Sequence, residues 1–185
     1  MNTNQKLLLI LSSVIALLAT TSTSLTFNKS SSPKIRVAVL PKDLPAIQEC
    51  RRTAYAGKTN LLAAARSFCN ADQIQRDGYI CIIATERDGT VIGTADLNTK
   101  QCIVNNVYVR EEARKRGIGR LLMEAVVEAV EKPATLKLTV YSSNTPAYSL
   151  YQKLGFTSPG IYGGLSALSA ATSFNFLLEM EKKLV

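Results

Sequence analysis

The 185-residue chain contains no histidine and no tryptophan, and no aspartate or glutamate precedes Asp43. The missing histidine removes the side chain whose ordinary pKa lies closest to neutral pH, and with it the commonest metal ligand. The four cysteines, Cys50, Cys69, Cys81 and Cys102, form no CxxC pair, so no zinc site of the usual spacing is present. The longest apolar run, Leu7–Leu18, has 12 residues, short of the roughly 20 that cross a bilayer as a helix. Neither GxGxxG nor GxxxxGK[ST] occurs, which excludes those two nucleotide-phosphate sites. No internal repeat is visible.

What remains is an ordinary globular composition, 46% hydrophobic and 19% charged, at a length suited to one domain. The net charge of +8 is unevenly spread. Lys6, Lys29, Lys34, Arg36 and Lys42 lie in the acid-free first 42 residues, and the remainder carries 17 basic and 14 acidic residues. No basic stripe is interleaved with aromatics, so no nucleic-acid partner is expected.

Residues 1–34 read as a targeting segment and 35–185 as the folded domain. Lys6, the apolar run 7–18 and the small residues from Ala19 to Ser24 have the layout of a secretory signal peptide. An uncleaved membrane anchor or an interfacial helix is the alternative. Phe27–Lys34 is Ser-rich, basic and free of acids, like a transit peptide. Signal and transit parts in series resemble a two-part plastid presequence, although Ser24-Leu-Thr-Phe27 matches its cleavage site only loosely. No stable membrane span is expected in the mature protein. An even cysteine count would permit disulfides after secretion. The apolar settings of Cys81 and Cys102 favour buried free thiols.

Hydrophobic periodicity gives the order β-α-α-β-β-β-α-β-α-β-β. A strand is expected at Ile35–Leu40, then a helix capped by Asp43 with Leu44, Ile47 and Arg51 on its spacing. A second helix is expected over 57–77. Strands follow at Gly78–Thr85, Val91–Leu97 and Cys102–Val109, the first two joined by an Asp-Gly hairpin turn at Arg87–Thr90. A helix over 118–131 carries the stripe Leu121, Leu122, Ala125, Val126, Ala129 and Val130. A strand over Leu136–Tyr141 leads to a helix from Asn144-Thr-Pro146 to Leu154, stopped by Gly155. The last strand is expected at Phe174–Met180. A strand meander among alternating helices implies an α/β mixed sheet with helices on both faces.

The chemistry concentrates at residues 107–122, Val-Tyr-Val-Arg-Glu-Glu-Ala-Arg-Lys-Arg-Gly-Ile-Gly-Arg-Leu-Leu. A strand runs into a short basic loop with two glycines and then straight into a helix. The first N–H groups of that helix have no intrahelical partner and lie at the positive end of its dipole. Arg114, Lys115, Arg116 and Arg120 add charge. A diphosphate fits such a place.

Arg114-Lys-Arg-Gly117-Ile-Gly119 fits R/Q-x-x-G-x-G/A, and Asn144, Ala147, Leu150, Tyr151, Lys153, Gly155 and Phe156 fit N-x-x-A-x-x-L-Y-x-K-x-G-F. In both motifs, and in element order from about Ile35 to Val185, the chain resembles the GNAT superfamily of N-acetyltransferases. The resemblance implies a mostly antiparallel central sheet and acetyl-coenzyme A as co-substrate, with no metal. It implies direct transfer of the acetyl group to a primary amine, in a monomer or homodimer. A non-catalytic acyl-coenzyme A binder on the same fold is the alternative.

Carried over residue by residue, the resemblance implies that the backbone of Val107, Tyr108 and Val109 meets the pantetheine arm. Arg114, Lys115, Arg116, Gly117, Ile118, Gly119 and Arg120 would surround the pyrophosphate. Asn144 would hydrogen-bond the pantetheine or reacting region, and Tyr151 would protonate the departing thiolate. The Val107 N–H would meet the oxyanion. Some relatives use a Glu where Ile103 or Thr139 stands here. Proton loss from the amine is therefore expected through water held by Asn105, Asn106 or main-chain carbonyls, with Asp96 a weaker candidate base. The acceptor pocket is expected from residues before 78 and from the loop 158–172, with Tyr162 as a possible wall.

Overall fold

The computed structural model describes residues 32–55, 73–158 and 177–185. The leader to Ser31, Cys69, most of the expected 57–77 helix, the 159–172 loop with Tyr162, and the first residues of the expected last strand lie outside the described residues.

Six strands form one sheet in the order β1-β2-β3-β4-β5-β6. They are β1 (Lys34–Val37), β2 (Tyr79–Thr85), β3 (Val91–Asn98), β4 (Ile103–Val109), β5 (Ala134–Tyr141) and β6 (Leu177–Leu184). The described helices are α1 (Leu44–Tyr55), α2 (Ile118–Glu128) and α3 (Thr145–Lys153). Every neighbouring pair is antiparallel except β4 with β5. That parallel pair needs a crossover, which α2 supplies. After α3 the described residues show one strand, β6, extended to Leu184 beyond its expected end at Met180, and a lone bridge between Thr157 and Glu181.

The two faces of β2 separate the core. Ile82 and Ala84 join Ile118, Leu122, Met123 and Val126 of α2. Cys81 and Ile83 join Ile47 and Cys50 of α1, together with Ile74 and Val91. Helices on both faces leave every residue of β3 buried. The apolar stripe of α2 differs in detail from the expected one. Met123 is fully buried, whereas Leu121 and Ala125 are half-buried and Ala129 is exposed. The described cysteines are free thiols, with Cys50 and Cys81 buried and Cys102 half-buried.

Asp43 does not act as expected. Its carboxylate turns back onto the end of β1, where Oδ2 accepts from the Val39 N–H at 2.7 Å. It also takes both arms of the Arg36 guanidinium, at 2.5 and 3.0 Å. The fork fits the carboxylate better than a single helix N–H would. The hydrogen bond from Arg36 is the main reason that the Asp43 carboxyl is held down at about 2.

A carboxyl with a lowered folded pKa stabilises the protein above its unfolded value near 4 and loses that contribution as pH falls toward 2. Arg36 is partly open to solvent, which limits the gain. Asp43→Asn is expected to lower stability at pH 7 by about 1 kcal/mol and to flatten the loss between pH 4 and 2. Urea unfolding across that range checks it; an unchanged acid limb would contradict the assignment.

Candidate functional site

The site begins where β4 leaves β5. The pairing covers only Ile103 with Lys137 and Val104 with Leu138, although β5 runs on to Tyr141. On its other side β4 stays paired with β3 as far as Val109, opposite Gly93. The Arg110 N–H donates to the Ile92 carbonyl at 2.9 Å, on the β3 side. Alternation along a strand therefore points the Val109 N–H to the β5 side, into the opening. Backbone donors in such an opening require a partner, and an extended chain added along the edge would supply one.

A bulge accompanies the parting. Asp96 pairs with Asn105 and Thr94 with Tyr108, so Asn106 and Val107 together oppose Ala95 alone. Asn106 adopts φ 50°, in the left-handed region that asparagine tolerates better than most residues.

Beyond β4 the chain makes a 3₁₀ turn at Glu111–Ala113 and enters α2. Ala113 is buried and anchors the turn, and Arg114 Nε donates to the Val109 carbonyl at 3.2 Å. Gly117 precedes the helix at φ 79°, with no side-chain cap. The first helical bond runs from the Leu121 N–H to the Gly117 carbonyl. The N–H groups of Ile118, Gly119 and Arg120 thus lack an intrahelical partner and face the loop. The two glycines do different work. Gly117 has open space where a side chain would be, and its φ is what favours glycine. A Cβ at Gly119 would lie 3.2 Å from Leu150 of α3, so its absence lets the start of α2 close against α3.

The positive charge is smaller than the sequence suggests. Arg116 is paired with Glu86 at 2.6 Å, across on the β2–β3 hairpin. Arg120 is paired with Glu124 at 2.7 Å. Among the described residues only Lys115 of the four basic side chains makes no hydrogen bond or ion pair. It takes φ 61°. The local field rests on the helix terminus, Arg114 and Lys115 more than on a cluster of four free cations.

Asn144 caps α3, its Oδ1 accepting from the Ala147 N–H at 3.4 Å, and its side chain is exposed. Tyr151 on α3 lies only 6% exposed and packs on Phe156, with ring centroids 5.9 Å apart. Burial pushes its phenol up to about 12, so at neutral pH it is a proton donor and not a base. Tyr108 points away from the opening. It packs against the α1 side of the core, where its hydroxyl is buried. Burial raises its pKa as well. Only its backbone belongs to the β4 edge.

Asp96 is unsuited to act as a base. It is 1% exposed, and both of its oxygens already accept hydrogen bonds, from Arg51 and Asn106. Arg51, placed by its spacing on the helix after Asp43, has a role that the sequence did not reveal: it pairs with Asp96. It sits on the buried stripe of α1 one turn after Ile47, a place where arginine is rarely buried unless paired. Thr139 lies exposed on β5, opposite Glu179 of β6. Among the described residues no cluster of side chains suits a metal ion.

Comparison with known proteins agrees with this geometry. The model of the Acetyltransferase (GNAT) family matches residues 45–156. An L-methionine sulfoximine/L-methionine sulfone acetyltransferase of Pseudomonas aeruginosa is 26% identical over 98 residues, 48% of this chain and 57% of that protein. A ribosomal protein bS18-alanine N-acetyltransferase of Escherichia coli is 40% identical over 58 residues, 30% of this chain and 39% of that protein. The matched part of the chain therefore spans little more than half of one relative and less than half of the other. Among solved structures, a phosphinothricin acetyltransferase from Sinorhizobium meliloti in complex with AcCoA superposes at a TM-score of 0.61 with 20% identity. It covers 83% of this chain and 89% of its own. An N-acetyltransferase from Staphylococcus aureus gives 0.61 with 20% identity, covering 84% of this chain and 100% of its own. These two share the fold.

Gly117→Ala is expected to fold with stability lowered by about 1 kcal/mol, the cost of a left-handed conformation for a residue with a Cβ. Denaturant unfolding measures it. Undiminished stability would mean that the turn into α2 does not need the left-handed residue.

Proposed function

The chain belongs to the GNAT acetyltransferase family, and on that premise we propose that it transfers an acetyl group from acetyl-coenzyme A directly to a primary amine in a ternary complex. The observation that carries this is the unpaired edge of β4 leading without a break into the uncapped N-terminus of α2. An extended amide-bearing arm and a diphosphate need those two features side by side.

The backbone of Val107 and Val109 would hold the pantetheine arm as an added strand. The N–H groups from Lys115 to Arg120, with Gly117, Ile118 and Gly119 at the turn, would hold the pyrophosphate, helped by the charges of Arg114 and Lys115. The Val107 N–H would donate to the oxygen that becomes negative as the amine attacks. Tyr151, kept protonated by burial, would give its proton to the departing thiolate. Asn144, at the start of the same helix, has its amide nitrogen left to meet the arm. With Ile103 and Thr139 at the places where some relatives have Glu, the amine would lose its proton to water held by Asn105, Asn106 or main-chain carbonyls.

The acceptor is a protein N-terminus, a lysine or a small-molecule amine. Both kinds of chemistry occur among the names of the similar proteins, one a methionine analogue and the other a ribosomal-protein alanine. The composition of residues 1–34 supports delivery through the secretory pathway, with a plastid as destination if the presequence has two parts. The burial of Tyr151 in the core also suits the second reading, an acyl-coenzyme A binder that does not turn over.

Turnover of acetyl-coenzyme A by the full chain, with a panel of peptide and small amines, separates the two readings. Transfer to any amine supports the enzyme; tight binding without transfer supports the binder. For an active chain, Tyr151→Phe is expected to lower kcat by about 10²-fold or more while cofactor affinity changes little, because the ring is kept and only the proton donor is lost. A Tyr151→Phe protein with full kcat would remove the phenol from the mechanism and leave water as the donor.

A further inference from the structure

Among the described residues, Arg51–Asp96 is the one ion pair whose side chains are both buried, at 4% and 1% exposure. Buried charge is expensive, and such a pair rarely improves stability over apolar side chains of the same volume. Its surroundings indicate another use. Four hydrogen bonds close a ring around the β4 bulge. Arg51 Nη2 donates to Asp96 Oδ1 at 2.5 Å. Asn106 Nδ2 donates to Asp96 Oδ2 at 2.8 Å. Thr94 Oγ1 donates to the Asn106 carbonyl at 3.3 Å, and Arg51 Nε donates to Thr94 Oγ1 at 3.3 Å.

The ring therefore grips Asn106 twice, by its side chain and by its carbonyl, at the residue that adopts φ 50°. The second grip matters more. The Asn106 carbonyl and the Val107 N–H belong to one planar trans peptide unit and point in opposite directions. Holding the carbonyl toward Thr94 on β3 turns the Val107 N–H the other way, toward the side on which β4 has left β5.

We propose that Arg51, Asp96 and Thr94 are positioning residues for acyl transfer, a buried ring that fixes the Asn106 peptide and so aims the Val107 N–H at the reacting carbonyl. The inference rests on the acetyl-transfer reading above. None of the three touches the reactants; they act through one peptide unit. Because none of the ring's hydrogen bonds involves the 114–120 loop, its loss should fall on the chemical step and spare cofactor binding.

The test uses the full chain with an amine that the wild type acetylates. Arg51→Met/Asp96→Leu removes both charges together and keeps the volume, so no unpaired charge is left in the core. Thr94→Val deletes only the bridging hydroxyl. Expected for the double variant is a kcat lower by about 10²-fold, the usual effect of losing one oxyanion donor, with the calorimetric Kd for acetyl-coenzyme A changed by less than about threefold. Thr94→Val should stay folded with a lowered melting temperature, because it leaves the buried Arg51 Nε unpaired, and should lose about tenfold in kcat at a temperature well below its melting. If the double variant does not fold, Thr94→Val decides alone. Full kcat in the folded variants would overturn the positioning role and leave the ring a structural feature. A fall in affinity equal to the fall in kcat/KM would overturn it too, since that pattern marks lost binding. Absence of turnover in the wild type would overturn the acetyl-transfer reading itself and this inference with it.

Discussion

The parting of β4 from β5 after Val104 is the constraint on which the rest of the molecule turns. A sheet gains by pairing every strand along its whole length, and here β5 continues past the last paired residue with no β4 partner. Backbone donors and acceptors on the facing edges are left to something else. The surrounding structure is arranged to tolerate this. β3 is wholly buried and stays paired with β4 to its end, so β4 is held from one side alone. The bulge at Asn106 lets β4 bend away without breaking that pairing, and Gly119 allows α2 to start hard against Leu150 of α3.

Electrostatics at the mouth of the opening follow the same economy. Arg116 and Arg120 are both tied to glutamates, and Arg114 reaches back to the Val109 carbonyl. Arg114 and Arg116 thereby tie the loop to its neighbours, while the Arg120 pair stays within α2. What remains for an anion is a set of fixed backbone N–H groups, which require little reorganisation on binding, with the charges of Arg114 and Lys115 beside them. Arg116 paired with Glu86 also links the loop to the β2–β3 hairpin.

Much of this was legible in the sequence because the signals are local. The step from strand to Gly117-Ile-Gly119 to helix depends on neighbours within a few residues, and so do the Asn144 cap, Pro146 in the first turn of α3 and Gly155 at its end. The first strand and β5 followed from alternation, and the β2–β3 pair from its apolar runs around an Asp-Gly turn. The structure differed where distant residues compete for a group. Asp43 has the right place for a helix cap, but a guanidinium on β1 binds its carboxylate more strongly. Asp96 reads as a possible base until Arg51, 45 positions earlier, is seen beside it. The bulge at Asn106 is marked only by an asparagine, which tolerates a left-handed φ, and in a strand half-buried on both faces the flip of alternation that an extra residue causes leaves little trace in hydrophobicity. The full charge of the loop was overread for the same reason: Glu86 lies 30 residues from Arg116.

The central claim is that the open edge of β4 is completed by acetyl-coenzyme A lying along it as a strand. Amide hydrogen exchange on the full chain, with and without acetyl-coenzyme A, addresses it at single residues. The Val107 and Val109 amides should exchange fast in the free protein and be strongly slowed by the cofactor. The Arg110 amide, already bonded to Ile92 on β3, should be slow in both states. Unchanged exchange at Val107 and Val109 under saturating acetyl-coenzyme A would contradict the account.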